Sequence, residues 1–279
     1  MANRFWVAGT ETWNATAGAK WGTQSGVTDS ASLPGTGDVA IFDSLSGGGT
    51  VTVDSPNGAG AVTVQQITMG AFTGTLDFAT NDNNVTLSVA FSGTGTGVRT
   101  LNMGDGTWLM NATSGVVWDC TTVTNFTLNA NGSTLTISAS ATASRSFASG
   151  GKSYNIVNLV NTGSTFAAMA MSGAATIATL NLAAPLWFRP ANNTTITITN
   201  AFNWAGASAS SGFLITSNSI DGAAATISVA AGAPTINWAA ISTMTFAGGA
   251  TFSARNSLNL GGNTGITITP PGGNRVIGG

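Results

Sequence analysis

"TLDFATNDNNVTLSVAF", residues 75–91, reads as a strand, a turn and a second strand. Leu76 and Phe78 alternate with polar neighbours, Asn81, Asp82, Asn83 and Asn84 form a turn cluster, and Val85, Leu87, Val89 and Phe91 alternate again. Period-two alternation buries one side of a strand and leaves the other in solvent. Asn and Asp favour turns because their side chains bond the local backbone. The same pattern continues to the end of the chain, with no convincing helical periodicity.

Working outward, strands are expected at Val62–Thr68, Thr75–Phe78, Val85–Phe91, Val98–Met103, Trp108–Met110, Val116–Trp118, Phe126–Leu128, Thr134–Ser138, Ile156–Val160, Ile177–Leu182, Thr194–Thr199, Phe213–Thr216, Ala225–Val229, Thr235–Trp238 and Thr243–Phe246. Short strands between Gly, Ser and Asn turns suit a sandwich or a solenoid, and more than a dozen of them favour the solenoid. "FTLNANGSTL" (126–135) aligns with "VNLVNTGSTF" (157–166) at an offset of 31, and "ITMG" (67–70) with "LNMG" (101–104) at 34. The recurrence is irregular, as a parallel β-helix permits, because loops extrude outward while inward residues stack. The fold class expected is all-β, a right-handed parallel β-helix over residues 51–279. Residues 1–50, with Trp6, Trp13 and Trp21, Phe5, Ile41 and Phe42, read as a small N-terminal β cap or docking module.

"TVTV" (50–53), "TLTIS" (134–138) and "TITIT" (195–199) alternate hydroxyl and aliphatic residues. The aliphatics are expected inside and the Thr side chains in outward ladders. Ordinary β propensity accounts for such stretches. The sharper alternative, an ice- or glycan-binding face, is kept only as a minor reading because the Thr pairs show no sustained register.

Composition excludes several classes. The chain has 279 residues, 43% hydrophobic and only 6% charged, against about 25% charged in an ordinary domain. Disorder requires low hydrophobicity and is excluded. The net charge is −2, and Arg4, Lys20, Arg99, Arg145, Lys152, Arg189, Arg255 and Arg275 form no run, so no nucleic-acid partner is expected. No apolar run reaches membrane-span length, so no membrane partner is expected. "MANRFWVAGTETW" lacks the apolar core of a signal peptide. If Met1 is the true start, the chain is made in the cytoplasm and does not leave by the general secretory route.

The chemistry is sparse. There is no His, which excludes Ser-His-Asp and Cys-His catalysis and His metal sites. Cys120, in "VVWDCTTV", reads as a buried small hydrophobe rather than a reactive thiol. "SGGKSY" (149–154) lacks the upstream Gly and the helix of a phosphate loop and reads as a turn. The acidic residues are Glu11, Asp29, Asp38, Asp43, Asp54, Asp77, Asp82, Asp105, Asp119 and Asp221. Asp77, Asp105 and Asp119 would make a polysaccharide-cleaving site only if stacked coils brought two of them face to face. Turn carboxylates more often cap local backbone. "NDNN" (81–84) lacks the pattern of a calcium loop. No catalytic residue, metal or cofactor is expected. Trp108, Trp118, Trp187, Trp204 and Trp238 sit in strand-like segments, where core or inter-subunit positions are the default. Phe5, Trp6, Trp13 and Trp21 are therefore the candidate docking interface.

"RFWVAGTETWNATAGAKWG", followed by "SLPGTGDVAIFD", resembles the N-terminal module of tailed-phage virion surface proteins that continue as a parallel β-helix. "ATFSARNSLNLGGNTGITIT" (250–269) resembles their closing segment, with Ile266 where the family usually has an aromatic. The resemblance covers both ends, and the middle matches in style. It implies a non-enzymatic virion structural protein on the particle surface, with capsid decoration preferred over a tail or fibre component. The implied partners are the major capsid protein or tail proteins, sister copies in a homo-oligomer such as a trimer, and a host surface glycan. Assembly would take place in the host cytoplasm. The alternatives are a glycan-binding or glycan-cleaving tailspike and a bacterial surface β-helix adhesin, which would need export.

Overall fold

The computed structural model describes residues 2–16, 19–139, 143–218 and 222–272. Met1, Asp221 and Arg275 lie outside them. The described residues form 27 strands and no helix. Pairing is parallel throughout, except where Asn3–Trp6 runs antiparallel to Trp21–Gly22 and at the bridge Ser208–Ser211. Strands adjacent in sequence are therefore not hairpin partners. Thr75–Asp77 lies between Thr50–Asp54 and Arg99–Asn102, whereas Asn84–Ser92 lies between Ala61–Thr68 and the strands Thr107–Met110 and Gly115–Asp119.

The chain visits three ladders in turn, which makes it a parallel β-solenoid. The first stacks Thr12–Asn14, Thr50–Asp54, Thr75–Asp77, Arg99–Asn102 and Phe126–Asn129. After a break it resumes with Ser153 and Tyr154 and runs on to Met244–Gly248. The second runs from Ala61 to Ala205 through Thr107–Met110 and Thr134–Ala139. The third begins at Asn3–Trp6 and Val39–Ile41 and ends at Leu258–Asn259. Long strands such as Ala61–Thr68 and Ala175–Ala183 serve two consecutive ladders and change register at the corner between them.

Coil length corrects the repeat read from sequence. Thr50, Thr75 and Thr100 are successive partners 25 residues apart, and Val62, Val85 and Trp108 are 23 apart. Leu128 sits opposite Leu101 on the first ladder, while Leu159 belongs to the second, between Ile137 and Leu182. The offsets of 31 and 34 thus span one coil plus one further side. Strand–turn composition recurs on every side, so self-alignment finds that shift as readily as the true coil.

Inward residues stack in columns. Val62, Val85, Trp108, Leu135, Val157, Leu180 and Phe202 are successive partners at the second ladder, and all are buried. Each such burial contributes about 1.5–3 kcal/mol, which no coil could gain alone. The alternation expected at "TVTV" and "TITIT" holds: Val51, Val53, Ile196 and Ile198 are buried, and Thr50, Thr52, Thr195 and Thr197 face out. Aromatic rings gather in groups along the stack. Trp6, Trp13, Trp21, Phe42 and Phe72 form the first. Phe78, Phe91, Trp108, Trp118, Phe147 and Tyr154 form the second. Phe202, Trp204 and Phe213 form the third.

One corner shows why the turns need particular residues. Gly95 has φ +143, and a Cβ there would stand 1.7 Å from the Gly70 carbonyl oxygen on the previous coil. Beside it Arg99, 1% exposed, donates to the carbonyls of Gly93, Gly95, Gly97 and Thr124. The guanidinium fork supplies the donors that these corner carbonyls lack in a ladder. Burial lowers its pKa from the ordinary arginine value.

Candidate functional site

The tryptophans expected to form a docking interface are inside. Trp6, Trp13 and Trp21 have no exposed surface. Trp21 meets both others edge to face at 5.2 Å, and Phe42 packs against all three. Only Phe5 is half-exposed. The correction has a local cause. Trp6 pairs with Trp21 in the antiparallel strand, and Trp13 pairs in parallel with Val53, an inward position of the first ladder. The first and third ladders both continue across residue 50, joining Thr12–Asn14 to Thr50–Asp54 and Val39–Ile41 to Ala61–Thr68.

The carboxylates considered for hydrolysis fall at different places around the coil, each bonded to its own partners. Asp77, on the first ladder, accepts from Asn102 Nδ2 at 2.9 Å, the Ala79 amide at 3.3 Å and Thr80 Oγ1 at 2.5 Å. Asp105, at the corner between the first and second ladders, accepts from the Gly132 amide at 2.8 Å. Asp119, on the third, accepts from the amide and hydroxyl of Thr121. The Asn-rich turn ties coils together: Asn83 donates to the Val53 carbonyl and accepts from the Ser55 amide, and Asp82 accepts from the Asp105 amide. No group of three metal-ligating side chains occurs among the described residues. At "SGGKSY" the Lys152 amide closes a turn on the Ser149 carbonyl, and Lys152 Nζ donates to the Phe126 carbonyl at 2.5 Å. Cys120 is buried, and that burial, with Asp119 nearby, pushes its thiol up to about 12. The thiol is therefore neutral and unreactive at ordinary pH.

The outward sides of the ladders differ in chemistry. On the third, Ala168, Trp187, Leu214, Ala240 and Leu258 are successive partners, an apolar column over five coils that passes from buried Ala168 through half-exposed Trp187, Leu214 and Ala240 to exposed Leu258. Arg189 lies 4.4 Å over the Trp187 ring, whose indole N–H donates to Thr216 Oγ1 at 2.9 Å. Leu258 is 52% exposed and Phe166 48%. Both line a cleft of about 340 Å³ with Trp238 and Pro271. Trp108 and Trp118 are core, as their strand positions implied, whereas Trp187, Trp204 and Trp238 are only partly buried. Sequence reading missed this strip because only strand pairing shows which residues of separate coils line up, and two of its strands, Ala167–Ser172 and Ala239–Ser242, are Ala-rich.

The first ladder corrects a second reading. Thr50, Thr75, Thr100 and Thr127 are partners on four successive coils. Two residues along, Thr12, Thr52, Asp77, Asn102 and Asn129 form a parallel column. The Thr register is thus sustained. Comparison with known protein families, characterised proteins and solved structures finds no match to this chain.

Proposed function

We propose that this is a non-enzymatic structural protein of a virion surface, preferentially a capsid decoration rather than a tail or fibre component. The observation that carries the reading is the apolar column Ala168–Trp187–Leu214–Ala240–Leu258 on the outside of a solenoid whose candidate carboxylates are spent on its own turns. Apolar surface left open to solvent marks association, and the half-exposed Trp187, Leu214 and Ala240 with the exposed Leu258 replace the tryptophan head as the docking face. Its partners are the major capsid or tail protein and sister copies, a trimer among them. The resemblance of both chain ends to tailed-phage surface proteins supports the setting. Within this reading the solenoid is right-handed, the hand that parallel crossovers favour. Residues 1–50 cap its first coil, the Trp6–Trp13–Trp21 cluster closing the core that a terminal coil would otherwise expose.

Antibody labelling of phage particles in the electron microscope tests the location. Label over the capsid supports decoration, label at the tail moves the protein to the tail or its fibres, and unlabelled particles overturn the reading. Rapid depolymerisation of a host polysaccharide by the purified chain would assign it to tailspikes. Recovery on intact bacterial cells without phage would assign it to surface adhesins.

A further inference from the structure

Between the strands Thr12–Asn14 and Trp21–Gly22 the chain brings three side chains of complementary chemistry together. Lys20 Nζ donates to Asn14 Oδ1 at 3.3 Å and to the Thr12 carbonyl at 2.8 Å, and Glu11 Oε2 lies 3.9 Å from it. The amine thus faces three oxygens, as many as an ammonium has protons. Its partners are themselves fixed. The Thr16 amide donates to Asn14 Oδ1 at 3.2 Å, and the Thr12 amide donates to Glu11 Oε2 at 3.2 Å. Trp13 precedes Asn14 and Trp21 follows Lys20, and these two buried rings meet edge to face at 5.2 Å. The core therefore holds the backbone on either side of the pair. Lys20 keeps only 19% of its side chain in solvent. The other lysine of the chain, Lys152, donates to the Phe126 backbone carbonyl instead.

An amine, a carboxamide and a carboxylate placed in this way are the parts of a self-acylation. We propose that Lys20 and Asn14 join in an intramolecular isopeptide bond, with Glu11 carrying the protons. Glu11 takes one proton from the Lys20 ammonium, which frees the nitrogen lone pair to attack Asn14 Cγ. Nζ bonds the carboxamide oxygen, and a short swing of the lysine stem onto the face of the group brings it to the ~3–3.5 Å from Cγ at which such reactions start. The Cγ–Oδ1 double bond opens toward the Thr16 N–H, which already bonds that oxygen and stabilises the charge that develops on it. Glu11 returns its proton to Nδ2, the Cγ–Nδ2 bond breaks and the carbonyl re-forms. Glu11 then takes a second proton from Nζ and passes it to the released ammonia, which departs as ammonium. A lysine ammonium and a carboxamide have become an amide and an ammonium ion, with no oxidant or co-reactant consumed. The step occurs once per chain. The bond fastens the start of the first ladder to the strand paired with the start of the third, at an end where a stack of coils is free to fray.

Full-length protein, incubated until its mass is constant, is digested with trypsin and mapped by mass spectrometry. Trypsin should fail to cut after Lys20, so that the peptide Phe5–Arg99 appears whole and lighter by one ammonia. Its fragmentation should give no breaks between Asn14 and Lys20. Glu11→Gln, Lys20→Arg and Asn14→Ala should each keep the ammonia, whereas Lys152→Arg should lose it as wild type does. Glu11→Gln leaves the amine and the carboxamide in place, so a wild-type circular-dichroism spectrum with the ammonia retained separates lost chemistry from lost folding. The wild-type map decides whether the bond exists, whatever the variants do. A wild-type peptide cut after Lys20 at full mass overturns the proposal. Loss of ammonia with normal cleavage after Lys20 marks a succinimide and overturns it equally. A Glu11→Gln chain that cross-links as fast as wild type overturns the part assigned to Glu11.

Discussion

Trp118 donates its indole N–H to the hydroxyl of Tyr154 across 3.0 Å, and that hydroxyl donates to the Ser149 carbonyl at 2.8 Å. Both rings are buried, so no water competes for these bonds. Tyr154→Phe keeps the ring but leaves the indole donor without its acceptor. A loss of about 1–3 kcal/mol is expected from urea unfolding. A variant as stable as wild type would show that the pair contributes nothing.

Arg99→Lys keeps the charge but replaces a planar fork by a single ammonium that cannot reach four carbonyls on two sides of a corner. Arg99→Met removes every donor. Each buried carbonyl left unpaired costs about 1–3 kcal/mol, so Met should be the worse of the two and both clearly destabilising. Equal stability of Met and wild type would mean that the corner relaxes to bond water.

Alkaline pH should weaken the fold. The folded Cys120 thiol is raised to about 12 from the ordinary 9.0, chiefly by burial. Between these values the unfolded chain has lost the proton and the folded chain holds it, so stability falls as pH rises through that window and is unaffected below it. Burial also raises Tyr154, which extends the same trend from above pH 10. Cys120→Ala should therefore make the decline shallower without abolishing it. Melting curves at stepped pH test this, and identical slopes would refute it.

Deleting residues 1–45 should leave a chain that aggregates. The deletion removes Trp6, Trp13, Trp21 and Phe42, uncovering Val51, Val53, Ile67 and Phe72, all fully buried in the intact molecule. A soluble, cooperatively melting truncation would mean that the stack does not need its first coil.

Strands built from alternating Val, Ile, Leu and Thr were legible; Phe213–Thr216 and Ala225–Val229 match to the residue. Ala167–Ser172 and Ala239–Ser242 were not, because Ala-rich stretches have weak β propensity and the coil imposes the strand on them. The side a tryptophan faces was also hidden. Trp13 turns inward because Val53 is its partner, a fact set by the length of the intervening loop rather than by neighbouring residues. The Thr register escaped for the same reason. Coils of 23 and 25 residues on different ladders blur any fixed period, and only pairing shows that Thr50, Thr75, Thr100 and Thr127 line up.

The separate aromatic groups along the axis give the molecule built-in optical reporters. Trp6, Trp13 and Trp21 sense the first coil, Trp108 and Trp118 the middle, and Trp204 a later coil. A stack held together by nearest neighbours can fray from an end without melting elsewhere. Single-tryptophan replacements would then separate the emission of each zone, and the order in which the signals shift to the red would trace the direction of unravelling.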